Sequence, residues 1–220
     1  MKICDRLLKE TEDIWRQYYT HPFVLGIQNG DLDREKFRHY IIQDYLYLID
    51  YARTFAVGIA KAKSSEMRRL FTSYVNMLVD GEMDIHRGYM GQLGVSLDEI
   101  EKTPTSIDNL SYTSYMLRVA YEDGETEIMA AILSCAYSYE VIAKNMVKNR
   151  PECVDDDFYG EWVKGYISER YHNENAMLME TLEKLAADYT PRQIQHLVDI
   201  FRACSVYELM FWDMAWQMKK

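Results

Sequence analysis

Three side chains that could do chemistry interrupt the apolar faces of three separate predicted helices. Asp44, Cys135 and Glu208 each occur where helical spacing turns the neighbouring apolar residues inward. A carboxylate on an inward face costs several kcal/mol unless it is paired, neutralised or functional. A buried cysteine either packs as a small apolar residue or supplies a nucleophilic thiol. Two inward carboxylates and a thiol on separate helices form a candidate catalytic group. Each of the three residues, taken alone, could also be an ordinary buried residue of the core.

Tyrosines lie close to these polar positions. The chain has 18 tyrosines; Tyr47 lies one helical turn from Asp44, and Tyr139 lies one turn from Cys135. Tyr166 ends the aromatic segment "YGEWVKGY". A tyrosine ring offers a flat apolar face with a hydrogen-bonding tip, which suits a pocket for a planar heteroaromatic ligand. The same aromatic stripes are also compatible with ordinary core packing.

Helices are the elements that must position these side chains. Glycine and proline are scarce, at 10 and 4 residues, and the sequence lacks alternating strand patterns. Thr190, Pro191 and Gln193 have the pattern of a helix start. Periodicity predicts helices near residues 3–19, 33–62, 64–92, 106–122, 125–149, 156–170, 172–187 and 191–218. Because no linker separates these segments, we expect one all-α domain, a multi-helix bundle, over residues 1–220.

Charge and composition narrow the class of protein. The formal net charge is −10, without a run of lysine or arginine, which argues against nucleic-acid binding. Charges in the first ten residues argue against a signal peptide, and no apolar run approaches the roughly 20 residues that span a bilayer. The four cysteines are scattered without CxxC pairs. We therefore expect a cytoplasmic protein, not bound to membranes, with reduced thiols.

Five blocks of sequence carry a resemblance to a known family. They are "HPFVLGIQNGDLDREKFRHYIIQDYLYLIDYAR", "SYTSYML", "SCAYSYE", "FYGEWVKGY" and "YELMFWDMAW". In order and spacing they resemble the TenA, or thiaminase II, family over nearly the whole chain. The resemblance implies a heme-oxygenase-like all-α fold without heme or another cofactor, usually assembled as a homotetramer. It also implies a hydrolase of thiamin salvage. Such an enzyme converts 4-amino-5-aminomethyl-2-methylpyrimidine to the hydroxymethyl compound and ammonia, and also cleaves thiamin.

The resemblance also implies roles for individual residues. The site residues of the family fall on Asp44, Tyr47, Tyr112, Cys135, Tyr139, Tyr166 and Glu208. Cys135 would be the nucleophile, Asp44 the anchor of the pyrimidine and Glu208 the group that handles protons at the leaving group. The sequence departs from the family beside the cysteine, where Pro-Cys-Phe-Trp is common and this chain has Ser134, Ala136 and Tyr137. That departure concerns the shape of the pocket and the preference between thiamin and its breakdown products.

Two other functions remain open from the sequence. The segments "EMDIH" and "ERYH" place acidic residues three or four positions from histidines, as in di-iron carboxylate oxidases of the same fold. The ligands in that case would be Glu82, His86, Glu169 and His172. A non-enzymatic transcriptional regulator is the other alternative, but the acidic chain shows no basic recognition helix.

Overall fold

The predicted all-α fold is confirmed by a computed structural model, which describes residues 2–79 and 83–219. Within these two ranges the regular structure is helical, without a β-strand. The α-helices there are α1 (Ile3–Glu10), α2 (Glu12–Thr20), α3 (Pro22–Asn29), α4 (Arg34–Lys61), α5 (Ser65–Met77), α6 (Met83–Leu93), α7 (Leu97–Lys102), α8 (Ile107–Glu122), α9 (Glu125–Asn149), α10 (Gly160–Ile167), α11 (Glu169–Leu185) and α12 (Pro191–Gln217). A 3₁₀ helix, Pro151–Asp155, follows α9.

The helices group into two compact units. The Asp44 unit consists of Arg34–Ile128 and Met214–Lys220, and the Cys135 unit consists of Met1–Asp33 and Met129–Asp213. One boundary falls at the start of α4, and the other two fall inside α9 and α12. The expectation of one domain over the whole chain stays a prediction.

In the Asp44 unit, the long helix α4 carries Asp44 and packs against α5, α6 and α8. Its buried face contains the apolar residues that the spacing predicts, including Phe37, Ile41 and Leu48. Serine caps begin three of the shorter helices: the side chains of Ser64, Ser96 and Ser106 each accept a backbone N–H of the first turn. Such caps satisfy amides that a helix start would otherwise leave unpaired, so they fix where each helix begins.

In the Cys135 unit, α9 carries Cys135 and α12 carries Glu208. The predicted start of α12 is confirmed: the backbone N–H and the hydroxyl of Thr190 donate to Gln193 Oε1 at 3.0 and 2.8 Å. The N–H of Gln193 donates in return to Thr190 Oγ1 at 3.4 Å. This reciprocal cap, followed by Pro191 at the first helical position, sets the register of the whole helix. Glu208 therefore lies on the buried face that the spacing predicts.

The prediction of one helix over residues 3–19 is wrong, because the helix is interrupted at Thr11. Thr11 has φ −118° and ψ 5°, and its hydroxyl donates to Leu7 O at 2.8 Å. A threonine side chain that bonds the preceding turn competes with regular helix geometry.

The periodicity also misses the short helices α3 and α7. Helix α3 starts where His21 Nδ1 accepts the N–H of Phe23 at 3.2 Å.

Two further predicted helices have displaced ends. The predictions 156–170 and 172–187 correspond to α10 and α11, whose junction is Ser168. Its extended backbone, with φ −61° and ψ 148°, ends α10, and its hydroxyl accepts the N–H of Tyr171 at 3.2 Å to cap α11. The predicted helix 64–92 corresponds to α5 and α6, and part of it lies outside the described residues. Among the described helices, none combines the length and apolarity that crossing a bilayer requires.

Candidate active site

Cys135 lies on the buried face of α9. Its side chain is 8% exposed, and that of Tyr139, one turn later, is 4% exposed. Ile132 and Ile142 extend the same face and are buried. Cys135 is therefore in the core, as its spacing predicts, with a small part of the residue exposed.

An aromatic cluster surrounds Tyr139. Its ring centroid lies 4.8 Å from that of Tyr166 on α10, 5.3 Å from Trp212 on α12 and 5.9 Å from Trp162. Tilted ring pairs at these distances are favourable and restrict the orientation of each ring. The structure thus places two of the tyrosines predicted from the sequence, Tyr139 and Tyr166, in contact, and Tyr139 lies one helical turn from Cys135.

Glu208 is 1% exposed on α12, and the turn before it is fixed by hydrogen bonds of Ser205. Ser205 Oγ donates to Phe201 O and accepts from Trp15 Nε1, both at 2.9 Å. Ser134 Oγ lies 3.0 Å from Ser205 Oγ. Because the hydroxyl hydrogen of Ser205 is used at Phe201, Ser134 is the donor in this pair. The residue before Cys135 is thereby joined to the turn before Glu208.

Tyr18 on α2 lies next to the same turn. Its hydroxyl donates to Ser205 O at 2.6 Å in a buried environment. Burial raises the pKa of Tyr18 well above its usual value, and the charges of Glu208, Cys135 and Cys204 raise it further. The thiol and the carboxylate that the sequence singles out are therefore both within electrostatic reach of one buried hydroxyl.

The other three cysteines have environments that keep their thiols protonated. Burial, together with the nearby carboxylate of Glu183, raises the pKa of Cys4 to about 12. Burial also raises the pKa of Cys153 and, with the charge of Glu208, that of Cys204. A thiol with a raised pKa is a poor nucleophile at neutral pH. These residues fit structural roles.

In the Asp44 unit, Asp44 pairs with a histidine. Asp44 Oδ2 lies 2.6 Å from His86 Nε2 on α6, and the two side chains are 6% and 3% exposed. The inward carboxylate predicted from the sequence is therefore buried and paired. A buried carboxylate with a nitrogen partner can remain ionised and accept hydrogen bonds at its other oxygen.

Tyr47 and Tyr112 are in ring contact in the Asp44 unit. Their ring centroids are 5.2 Å apart, and Tyr51 stacks on the other side of Tyr47 at 5.3 Å. Tyr47 OH lies 3.5 Å from Met116 Sδ. The predicted tyrosines thus form a second aromatic group, in which Tyr47 lies one helical turn from Asp44 on α4 and Tyr112 lies on α8.

The residues that the di-iron alternative would use as ligands differ in their contacts and exposure. His172 Nδ1 lies 2.7 Å from Glu140 Oε1, His86 pairs with Asp44, and Glu169 is exposed in the first turn of α11. Glu82 lies outside the described residues. Across residues 2–79 and 83–219, no group of three or more His, Cys, Asp or Glu side chains could hold a metal ion.

Sequence reasoning missed several residues of these surroundings. It gave no role to Tyr18, Trp15 or Ser205, and it considered His86 only as a metal ligand. Tyr18 and Ser205 are 187 positions apart, and Tyr18 is one of 18 tyrosines. Periodicity within one helix carries no information about such a pair. Whether the seven predicted residues form one active site stays a prediction.

Comparisons with known proteins bear on the chemistry of these residues. A sequence model of the TENA/THI-4/PQQC family matches residues 8–218. An aminopyrimidine aminohydrolase of Helicobacter pylori is 39% identical, over 99% of this chain and 100% of its own. Another, of Halalkalibacterium halodurans, is 38% identical, over 98% of this chain and 96% of its own.

Solved structures agree with the fold. A TenA homologue from P. horikoshii superimposes with a TM-score of 0.90 at 30% identity, covering 99% of both chains. A domain described as having a heme-oxygenase-like fold, from Shewanella denitrificans, gives a TM-score of 0.79 at 12% identity, covering 98% of this chain and 92% of its own. The helices of this chain therefore have the heme-oxygenase-like arrangement.

Proposed function

This chain belongs to the TENA/THI-4/PQQC family, and on that premise we propose that it is an aminopyrimidine aminohydrolase of thiamin salvage. Its substrate would be 4-amino-5-aminomethyl-2-methylpyrimidine, hydrolysed with water to the 5-hydroxymethyl compound and ammonia. Two relatives at 38–39% identity carry the name of that activity. The observation that carries the proposal is the placement of Cys135 and Glu208 on the buried faces of α9 and α12, which the bond between Ser134 and Ser205 joins, since the reaction needs a nucleophile and a proton-transfer group.

Substrate binding is assigned to Asp44 and the tyrosines. An aminopyrimidine presents an exocyclic amine as a donor, and an ionised Asp44 can only accept, so the two are complementary. Tyr47, Tyr112, Tyr139 and Tyr166 offer ring faces to a flat heteroaromatic ligand. These residues would hold the pyrimidine in one orientation.

The chemical step is assigned to Cys135. Its thiolate adds to the electron-poor ring carbon next to the carbon that bears the CH2 substituent, and a ring nitrogen takes up the electron pair. That pair then expels the amine, which Glu208 protonates so that it leaves as ammonia. Water adds to the exposed methylene, giving a proton back to the Glu208 carboxylate, and departure of the thiolate restores the aromatic ring. One difficult displacement is thereby divided into several easier steps.

Thiamin is the second substrate of the proposal. Its thiazolium is attached to the same methylene and leaves as a neutral thiazole.

We also propose that the enzyme acts in the cytoplasm as a homotetramer. Light scattering of the purified protein would test the tetramer.

The deciding experiment compares kcat/KM for the aminomethylpyrimidine and for thiamin, with ammonia and thiazole release as readouts. We expect both substrates to react, with the aminomethylpyrimidine preferred. If the folded protein turned over neither substrate, the proposed function would be refuted. Stoichiometric iron in protein purified without chelators would favour the di-iron alternative instead.

A further inference from the structure

The closest polar contact of the Asp44 carboxylate in the described structure is the ring of His86. The 2.6 Å distance between Asp44 Oδ2 and His86 Nε2 is that of a strong, charge-assisted hydrogen bond. Both side chains are buried, and they are 42 positions apart in the sequence. Burying such a pair is costly and is weak evidence for stabilisation alone, so a functional reason for it is worth testing.

The backbone at Asp44 is held by a separate set of bonds. Gln43, the preceding residue, has its carbonyl oxygen bonded by Asn109 Nδ2 at 2.7 Å. Its side-chain oxygen accepts the N–H of Ser106 at 2.9 Å, and its side-chain nitrogen donates to Pro104 O at 3.1 Å. These bonds fix this turn of α4 against the start of α8 without any contribution from His86. The bond from His86 acts instead on the carboxyl group of Asp44, whose orientation it fixes.

We propose that His86 is a positioning residue that holds Asp44 Oδ2, so that Oδ1 is presented as an ionised acceptor to the exocyclic amine of an aminopyrimidine. The proposal rests on the proposed function and deepens it by naming the residue that orients the anchor of the pyrimidine. A pyrimidine with an exocyclic amine facing Oδ1 can donate a hydrogen bond and is bound. In a pyrimidine with a carbonyl oxygen at the same position, two acceptors would face each other. An unpaired buried acceptor is strongly disfavoured.

The His86 ring nitrogen acts here as a donor to the carboxylate. A neutral ring with hydrogen on Nε2 suffices, and so does a protonated ring. In either state the second oxygen of Asp44 is left to accept another hydrogen bond. Without His86 the carboxylate can rotate between staggered side-chain conformations, and the complementary arrangement becomes one of several.

The experiment measures the affinity of two ligands for His86→Leu, His86→Gln and the unaltered protein by calorimetry. One ligand is the aminopyrimidine product, and the other is the same pyrimidine with hydrogen in place of the exocyclic amine. We expect His86→Leu to weaken binding of the amino ligand about tenfold or more and to leave the other ligand unchanged. His86→Gln, which can place an amide donor near the position of Nε2, should recover most of the loss.

A matched control is available in the same unit. His39 is half-buried on α4, and His39→Leu should leave the affinities of both ligands unchanged. If His86→Leu does not fold, as judged by its thermal transition, His86→Asn replaces it, because the shorter amide does not reach Oδ2. Equal losses for the two ligands, or no loss for either, would overturn the positioning role.

The proposed function and this inference fail differently. An unaltered protein that does not turn over the aminomethylpyrimidine refutes the proposed function. An active unaltered protein whose His86 variants bind the two ligands with an unchanged ratio refutes only the inference. The calorimetric ratio is independent of kcat, so the two results are read separately.

Discussion

Ser134 Oγ lies 3.0 Å from Ser205 Oγ, and this buried pair joins α9 to α12. Ser134 immediately precedes Cys135, and Ser205 lies one helical turn before Glu208. The bond therefore sets the distance between the segments that carry the proposed nucleophile and the proposed acid. Ser134 is also the position at which this sequence has serine where proline commonly precedes the cysteine in the family.

Ser134→Ala should lower both kcat and the free energy of unfolding. We expect a loss of about 1 kcal/mol in the free energy of unfolding, typical of one hydrogen bond. Since small misplacements of reacting groups are costly, kcat should fall about three- to tenfold. The matched control is Ser138→Ala, which removes a bond of 2.8 Å to Cys135 O within α9 only. Equal kinetic effects of the two variants would show that the link between the helices has no catalytic importance.

Cys135→Ser should preserve the fold and remove nearly all turnover of the aminomethylpyrimidine. A serine hydroxyl is far less ionised than a thiol at neutral pH and is a much weaker nucleophile. The control is Cys153→Ser, since Cys153 is also buried but lies in the 3₁₀ helix after α9. Its kcat should stay near that of the unaltered protein. If Cys135→Ser retained more than about a tenth of the activity, a noncovalent route through general acid–base catalysis would replace the thiolate mechanism.

Asp44→Asn should weaken binding of the hydroxymethyl product about tenfold or more. With its oxygen turned to His86, the amide presents N–H to the amine of the ligand, and two donors then face each other. Asp50→Asn on the same helix is the control, because Asp50 pairs with Arg53 near the surface. Unchanged product affinity in Asp44→Asn would mean that another residue anchors the pyrimidine.

Local signals in the sequence were sufficient for much of the helical framework. Thr190, Pro191 and Gln193 locate the start of α12, and helical spacing then places Glu208 on its buried face. Spacing alone failed where a side chain competes with the helix. Thr11 and Ser168 end helices through bonds of their own hydroxyls or through capping, and apolar periodicity continues past both.

The surroundings of the site were harder to predict because they depend on long-range pairs. The spacing turns Asp44 inward but does not indicate that His86 will meet it. It places Cys135 on a buried face but does not indicate the contact of Ser134 with Ser205, 71 positions away. Such pairs follow from helix packing, which one sequence does not specify residue by residue.

A buried carboxylate in the Cys135 unit, Glu140, predicts a dependence of stability on pH. Burial alone would raise its pKa, but hydrogen bonds from Lys144, Asn175 and His172 outweigh burial and hold the pKa below its ordinary value of 4.5. A lowered pKa in the folded state stabilises the protein fully above the unfolded value. That contribution is lost as the pH falls through the folded value.

Glu140→Gln should therefore destabilise the protein most at neutral pH, and the difference from the unaltered protein should shrink below about pH 4.5. Urea unfolding at pH 7, 5 and 4 would measure it. The control is Glu161→Gln, because Glu161 is 75% exposed beside Lys164 and should show little effect at any pH. A difference that stays constant from pH 7 to pH 4 would contradict the assigned pKa direction.

Glu208→Gln separates proton transfer from packing, because glutamine keeps the volume and hydrogen bonding of the side chain but cannot transfer the proton. Turnover of the aminomethylpyrimidine should fall roughly 10²- to 10⁴-fold, the range expected for loss of general acid–base catalysis. Thiamin cleavage should suffer less, since thiazolium leaves as neutral thiazole and needs no proton at departure. Glu140→Gln is the matched control: Glu140 is another buried carboxylate, also 1% exposed, and its loss should leave the ratio of the two activities unchanged. Small and equal losses on both substrates in Glu208→Gln would reduce Glu208 to a structural residue and leave the protonation of the leaving amine to another group.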